Sequence, residues 1–255
     1  MAAPLRLKQT LLGLPTLELR SGWLNEYLEA TAMPRVAREL DALCESTERG
    51  DLRAREAAYP LVLLVLHDPA RSRWAELRAE AIEERLLSLE RLLRFGYLQS
   101  NVRDTPGEAP VPDYGAGREL TVGERRSLAR RSPREQIDRL LSDPNPMVLK
   151  ELLRNPRLTE DDLVRLAARR PARVPVLLTL LRAPRWLKSE RLRLSVLFNP
   201  GAPDYITVPM TALCSRRHLR EIIDSPQLSP PTRMVALERL ERLPPFQAAE
   251  SALLH

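Results

Sequence analysis

The stretch NPRLTEDDLVRLAARRP, Asn155–Pro171, indicates the fold class of this 255-residue chain. A proline lies near each end, and an X-Pro step tends to separate two helices because the residue before proline disfavours the α region. Thr159 fits the N-cap position, and Glu160 to Asp162 then occupy the first turn, where acids face the positive end of the helix dipole. General acid-base catalysis would need a converging partner instead. The stretch therefore predicts a short helix that is one building block of a stack.

Prolines recur through the second half of the chain at the spacing of a helix pair, at Pro144, Pro171, Pro200 and Pro226. The intervals are 27, 29 and 26 residues, and Pro156 and Pro184 divide the first two. Each half-interval holds 11 to 15 residues, enough for one helix. The phrases APRWLKSERLRLSVLFNP and SPQLSPPTRMVALERLERL repeat the pattern of the opening stretch. Internal repetition at this period is typical of an α-solenoid.

With their Asn-Pro turns and trailing Leu-Ala pattern, these units resemble the leucine-rich repeat variant and wider HEAT-like families of bacterial helical repeats, over about residues 121 to 243. The resemblance implies a binding scaffold, and a HEAT-like branch of alkylpurine DNA glycosylases supplies an enzymatic alternative. Flipped-base chemistry would require an acid flanked by aromatic side chains. The repeat half offers few aromatic residues for that purpose, namely Trp186, Phe198, Tyr205 and Phe246.

The first part of the chain predicts four helices: one in LELRSGWLNEYLEATA (17–32), one from Pro34 to Gly50, one from Asp51 to His67, and one from Arg71 to Phe95. Pro60 is expected to kink or divide the third of these. Residues 98–120 lack periodicity and are rich in Pro and Gly. We therefore predict an all-α protein with a helical N-terminal subdomain (1–97), a linker (98–120) and helical repeats (121–255).

The composition supports this fold class and limits the chemistry. Leu, Ala, Arg and Glu dominate, and these residues favour helices. The longest aliphatic run, Leu61 to Leu66, is far shorter than the roughly 20 residues that cross a bilayer. Cys44 and Cys214 match no metal or redox spacing, so we expect a cytoplasmic protein without a cofactor, and an iron-sulfur segment is not expected. Cys214 and His218 could share a helix face, but no third metal ligand is evident.

Basic residues are the feature with the greatest functional potential. The chain has 37 Arg, 3 Lys and a net charge of +6, which divides into −1 for residues 1–100 and +7 for 101–255. Equivalent positions of stacked units line one surface. The residues predicted to bind a partner are Arg125, Arg126, Arg130, Arg131, Arg134, Arg169, Arg170, Arg173, Arg185 and Lys188.

These patterns predict a non-enzymatic scaffold that binds another protein, one with an acidic surface. No Gly-x-Ser-x-Gly or Gly-rich phosphate loop is present, and Ser132 and Ser229 precede proline as N-cap residues do. Nucleic-acid binding through the basic face is the alternative, in which Trp186 would either stack on a base or belong to the core. We expect the interlayer core to contain Leu149, Leu152, Leu153, Leu163, Leu166, Leu177, Leu180, Leu181, Leu194, Leu213, Ile222, Ile223, Leu237 and Leu240.

Overall fold

The structure, a computed structural model, describes residues 3–95, 110–171 and 173–243. These ranges are all-helical and contain no strand. The helices of residues 3–95 are α1 (Ala3–Gly13), α2 (Leu17–Ala30), α3 (Met33–Glu48), α4 (Leu52–His67), α5 (Ser72–Glu83) and α6 (Leu87–Leu92).

The two later ranges contain shorter helices and one 3-10 turn (Thr211–Leu213). These helices are α7 (Val122–Arg131), α8 (Arg134–Leu140), α9 (Pro146–Leu152), α10 (Glu160–Ala167), α11 (Val174–Leu181), α12 (Pro184–Leu187), α13 (Glu190–Leu197), α14 (Asp204–Met210), α15 (Arg216–Ile223) and α16 (Pro230–Arg242).

Two features of the N-terminal helices differ from the sequence-based expectation. Helix α1 was not predicted, yet it packs against α3 and α4 and buries Leu7 and Leu11. Helix α4 runs without a break through the buried Pro60, so the proline does not divide it. The N-cap of α4 is Asp51, whose carboxylate accepts hydrogen bonds from the amides of Arg53 and Ala54.

The predicted helix from Arg71 to Phe95 is wrong as a single element, because α5 ends at Glu83 and α6 begins at Leu87. Between them Arg85 adopts a left-handed conformation with φ of 59°, and the amide of Leu86 donates to the carbonyl of Ala81. This pattern is a Schellman-type helix end. The new helix begins where the Asp41 carboxylate of α3 accepts hydrogen bonds from two of the first α6 amides, each at 2.9 Å. A partner on another helix therefore sets the break.

The regularly spaced prolines of the second half lie at helix boundaries, as their spacing predicts, whereas Pro209 lies inside α14. Pro144, Pro156, Pro171, Pro200 and Pro226 fall between helices, and Pro184 is the first residue of α12. Thr159 is the N-cap of α10 in a capping box with Asp162, and Ser229 caps α16. Ser132 differs from the prediction: it ends α7 and donates to the carbonyl of Leu128, so it does not cap α8.

Two asparagines that precede proline make the same set of hydrogen bonds at two places in the second half of the chain. The side-chain amide of Asn155 donates to the carbonyls of Ala129 and Ser132 at 2.9 and 3.3 Å, and that of Asn199 donates to the carbonyls of Ala167 and Arg169 at 2.8 and 3.1 Å. Each side-chain oxygen accepts from the amide two residues ahead. Both asparagines are buried. Each therefore donates to carbonyls at the end of an earlier helix, which lack intrahelical partners.

Helices of the two halves pack directly against each other. Helix α4 contacts α11, α14 and the 3-10 turn, and α16 contacts α3. The buried apolar side chains of both halves form one cluster. Part of the predicted linker, residues 98–109, lies outside the described residues. Residues 110–121 contain no helix, and within them Tyr114 is buried and donates to the Asp143 carboxylate at 2.6 Å.

Most of the predicted interlayer residues are buried. Leu194, Ile223 and Leu240 are partly buried. Leu237 is a correction, because 44% of it is exposed. On α16 the buried apolar residues are Val235 and Ala236 instead, so the inward face is displaced from the one that the leucine spacing indicated.

Buried charges also join the two halves. Glu48 on α3 accepts hydrogen bonds of 2.7 to 2.9 Å from Ser88 and Arg91. Arg239 and Arg242 on α16 lie 3.3 and 3.1 Å from the same carboxylate. Burial alone would raise the pKa of Glu48, but the hydrogen bond from Arg91 and the nearby guanidinium charges lower it. We call these five residues the buried charge cluster.

Candidate binding surface

Three of the predicted arginines of α7 and α8, Arg126, Arg130 and Arg134, are exposed in part but are paired with carboxylates. Arg126 and Arg130 each lie 3.0 Å from the buried Glu151 of α9. Arg134 pairs with Asp162 of α10. Hydrogen bonds from Arg130 and Arg126 lower the pKa of Glu151 to about 2. The carboxylates therefore offset much of the positive charge that the sequence placed on this face.

Arg125 does not belong to an exposed surface. Its side chain is buried, and its guanidinium lies 2.6 Å from Asp143, which also accepts the Tyr114 hydroxyl hydrogen bond. A buried ion pair of this kind is a packing element. Arg125 is therefore withdrawn from the partner-binding residues, because a docked protein would not reach it.

Three further predicted residues bind main-chain or amide oxygens instead of carboxylates. Arg169 donates to the carbonyl of Leu141 at 3.1 Å, and Arg173 donates to the carbonyl of Pro144 at 3.1 Å. Arg170 donates to the side-chain oxygen of Gln227 at 3.4 Å. These acceptors carry no net charge, so the hydrogen bonds do not neutralise the positive charge of the three guanidiniums. They line a cavity of about 380 Å³ between the ends of α8 and α10 and the start of α11.

The remaining predicted residues, Arg131, Arg185 and Lys188, are exposed. The guanidinium of Arg185 lies over the ring of Trp186, 4.5 Å from its centroid. Trp186 is 6% exposed, and its indole nitrogen donates to the carbonyl of Leu153 at 3.1 Å. Trp186 is therefore a core residue, and its ring is not accessible for stacking on a base.

A groove of about 790 Å³ lies where the two halves meet. Helix α9 lines it with Pro146, Met147 and Lys150, and Leu153 and Arg154 line it from the turn that follows α9. Opposite them lie the end of α11 and the start of α12. We call this cavity the basic groove, and its other lining residues are Glu18, His67, Thr179, Arg182, Ala183, Pro184, Arg185 and Trp186.

Positive charge in the basic groove is only weakly neutralised. Lys150 and Arg185 have no carboxylate within salt-bridge distance among the described residues, and neither has Arg182. Arg154 lies 3.6 Å from Glu151, which two other arginines already share. Glu18 is the one carboxylate of the lining. The groove therefore combines four positively charged side chains with a single negative one.

His67, the last residue of α4, adds a titratable group to the groove. Burial lowers its pKa first, and the positive charges of Arg182 and Lys150 lower it further. The imidazole is therefore neutral at pH 7. Lys150 and Arg154 lie four residues apart across the end of α9, a spacing that sequence reasoning overlooked. The approach of His67 to that pair depends on tertiary packing, and no pattern in the sequence indicates it.

The acidic and thiol groups show no arrangement typical of a catalytic centre in the described residues. Glu160 and Asp161 pair with Arg191, and Asp162 forms the capping box of α10 with Thr159. Burial raises the pKa of the Cys44 thiol to about 12 and that of Cys214 to about 11, so neither forms a thiolate at neutral pH. No group of three or more His, Cys, Asp or Glu side chains in this part of the chain is placed to hold a metal ion.

Comparisons give this chain no relative from which a role could be transferred. No protein-family model, curated protein or solved structure matches it. Among the helices of the described ranges, none has both the length and the apolar character needed to cross a membrane.

Proposed function

We propose that this chain is a non-enzymatic helical binding protein whose basic groove receives an acidic surface of another protein. One contrast carries the proposal. Arg126, Arg130 and Arg134 are paired with carboxylates, whereas Lys150 and Arg185 in the groove are not. Charges of opposite sign across an interface steer association and fix its register. An acidic partner would supply the counter-charge that the groove lacks.

The proposal also concerns how the helices around the groove are arranged. We propose that α7 to α16 are successive units of a stacked helical repeat of the leucine-rich repeat variant or HEAT-like kind. The recurrent hydrogen bonds of Asn155 and Asn199 support this, because each ties one unit to the end of an earlier helix. A cytoplasmic location also belongs to the proposal, and the free, buried thiols of Cys44 and Cys214 are compatible with a reducing compartment.

A protein partner is favoured over a nucleic acid because of where the free charge lies. Duplex binding would need basic side chains that follow a phosphate backbone. The carboxylates of Glu151 and Asp162, which pair with arginines of α7 and α8, interrupt such a row of basic side chains. The buried Trp186 cannot stack on a base. In the basic groove, unpaired positive charge lies beside apolar residues of the lining, which suits an amphipathic protein segment.

Charge reversal in the groove tests the proposal. Tagged wild-type protein and a Lys150→Glu/Arg185→Glu variant are used to capture partners from native lysate, with quantitative identification of what is retained. Arg220→Glu is the matched control, because Arg220 is exposed on α15 and lies outside the groove. We expect one defined acidic protein to be lost with the double variant and kept with the control.

The same proteins are titrated with random-sequence duplex DNA over a series of salt concentrations. Strong duplex binding by the wild type that falls steeply with salt would support the nucleic-acid alternative and contradict the proposal. A partner that binds the double variant as well as the wild type would show that the groove is not the binding site.

A further inference from the structure

Arg182 is held in place by one end of its guanidinium. Its Nε donates to the carbonyl of Leu66, at the end of α4, at 2.8 Å. Neither Nη atom donates to any of the described residues, and the side chain lines the basic groove. The Nη groups of a guanidinium form a fork that matches the two oxygens of a carboxylate. Arg182 therefore presents donors whose orientation is already fixed.

Burial lowers the pKa of Arg182, but a guanidinium with an ordinary pKa above 12 stays charged at neutral pH. A partly desolvated positive charge gains more from an incoming anion than one in bulk water, because local screening is weaker. Lys150 and His67 line the groove close to Arg182. The charges of Lys150 and Arg182 both lower the pKa of the His67 imidazole. A carboxylate bound at Arg182 would thus meet further donors.

Apolar residues lie beside these donors. Met147 is 44% exposed although it is a large apolar side chain, and it shares the groove with Pro146, Leu153 and Ala183. A free inorganic anion would leave this apolar surface in contact with water. A ligand that carries an aliphatic side chain next to its carboxylate would bury that surface and gain roughly 25 cal/mol per Å² of apolar area removed from water.

We infer that the basic groove recognises a short acidic-aliphatic peptide segment, with one carboxylate bound end-on by Arg182 and the neighbouring aliphatic side chain packed on Met147. This inference rests on the proposed function and specifies the chemistry of the partner. The volume of about 790 Å³ lies within the range of roughly 300 to 1,000 Å³ that is usual for ligand sites. It is sufficient for a peptide segment of a few residues.

The test uses two short blocked peptides, one of alternating Glu and Leu and one of alternating Glu and Ser, with binding measured by calorimetry at low salt. Wild-type protein is compared with Arg182→Lys, which keeps the charge but loses the fork, and with Met147→Ala. Arg182→Lys should weaken both peptides roughly 10- to 150-fold, as expected for loss of hydrogen bonds to a charged group. Met147→Ala should weaken only the Glu-Leu peptide, by about five-fold.

Controls separate folding from binding. Arg182 also hydrogen-bonds the end of α4, so circular dichroism and thermal unfolding of each variant are measured. Lys150→Met removes a different positive charge from the groove, at an exposed side chain. Equal binding of both peptides, with Met147→Ala unchanged, would overturn the inference and leave the proposed function in place. Failure of both peptides to bind folded wild-type protein would count against the proposed function and the inference together.

Discussion

The carboxylate of Glu48 and the guanidinium of Arg239 lie 3.3 Å apart although they come from opposite halves of the chain. Both side chains are almost completely buried. Burying such charges is costly unless each is paired and hydrogen-bonded. Arg91 and Arg242 share the same carboxylate, and they also lie 3.6 and 3.5 Å from Glu238 and Glu45, respectively. The C-terminal half thus depends on Glu48 of the N-terminal half to pair the buried charge of Arg239.

Replacing Glu48 with Gln should strongly destabilise the protein. The substitution keeps the shape of the side chain but leaves Arg239 buried without its counter-charge and leaves Arg91 only the Glu238 carboxylate, 3.6 Å away. Removing one member of a buried pair costs about 3 to 5 kcal/mol. Urea unfolding measures the change in the free energy of unfolding. Glu221→Gln is the control, because its partner Arg217 is exposed and such a helical pair contributes less than about 0.5 kcal/mol. Similar losses for both variants would contradict the assigned role of the cluster.

Truncation of the two buried asparagines should cost more than truncation of an exposed amide. Asn155→Ala and Asn199→Ala each leave buried carbonyls without a donor, for which we expect a loss of about 1 to 3 kcal/mol in the free energy of unfolding. Gln227→Ala is the control, since Gln227 is exposed and makes one long hydrogen bond to Arg170. Chemical denaturation of the three variants measures the difference. Losses no larger than that of Gln227→Ala would show that the asparagines do not join the units.

Acid should remove a stabilising contribution from Glu151. Its pKa is about 2 in the folded chain, against about 4.3 for an unperturbed Glu. A lowered folded-state pKa stabilises the protein above the unfolded value, and this contribution is lost as the pH falls toward the folded value. Stability of the wild type should therefore decrease from about pH 5 to about pH 2, and Glu151→Gln should decrease less steeply. Denaturant unfolding across this range tests it, with the exposed Glu135→Gln as control. Parallel curves for wild type and Glu151→Gln would exclude the effect.

Binding of the Glu-Leu peptide should tighten as the pH falls below about 6.5. Burial, Arg182 and Lys150 lower the pKa of His67 in the free protein, and a bound carboxylate would raise it. The groups that face the imidazole are therefore Lys150 of α9 and Arg182 at the end of α11, whose backbone hydrogen bond to His67 raises the His67 pKa in part. Asp68 is adjacent in the chain, and Glu18 of α2 lines the same groove.

The measurement is calorimetry at several values between about pH 5 and pH 7.5, where the peptide carboxylates remain charged. The wild type should gain several-fold in affinity at the acidic end. His67→Gln, which cannot take up a proton there, should show a flat profile. A wild-type profile that is equally flat would remove His67 from the recognition of the anion.

Local sequence signals were sufficient for the fold class and for many helix boundaries. Proline, Asn-Pro steps and hydroxyl N-caps act within a few residues of their own position, so Thr159 and the ends of α9 and α13 could be predicted from them. The break between α5 and α6 could not, because the side chain that begins α6 is Asp41 on a different helix. The exposure of Leu237 has the same origin, since packing against α14 and α15 decides which face of α16 is buried.

The candidate site was less predictable than the fold. Composition showed that basic residues are abundant in the second half, but not which of them have carboxylate partners. Glu151 lies well beyond Arg126 in the sequence, and its pairing arises only when α9 packs on α7. The basic groove needs His67 from the other half of the chain. Pairing across helices therefore separates the arginines that stabilise the fold from those that remain available for binding.

The buried charge cluster also has a consequence for synthesis on the ribosome. Helices α3 and α6 leave the exit tunnel early and can bring Glu48 and Arg91 together, but Arg239 and Arg242 are among the last residues of the described chain to be translated. Nascent chains arrested before α16 would hold the carboxylate with one guanidinium instead of three. Their N-terminal helices should consequently be more susceptible to proteolysis than the same helices in the released polypeptide.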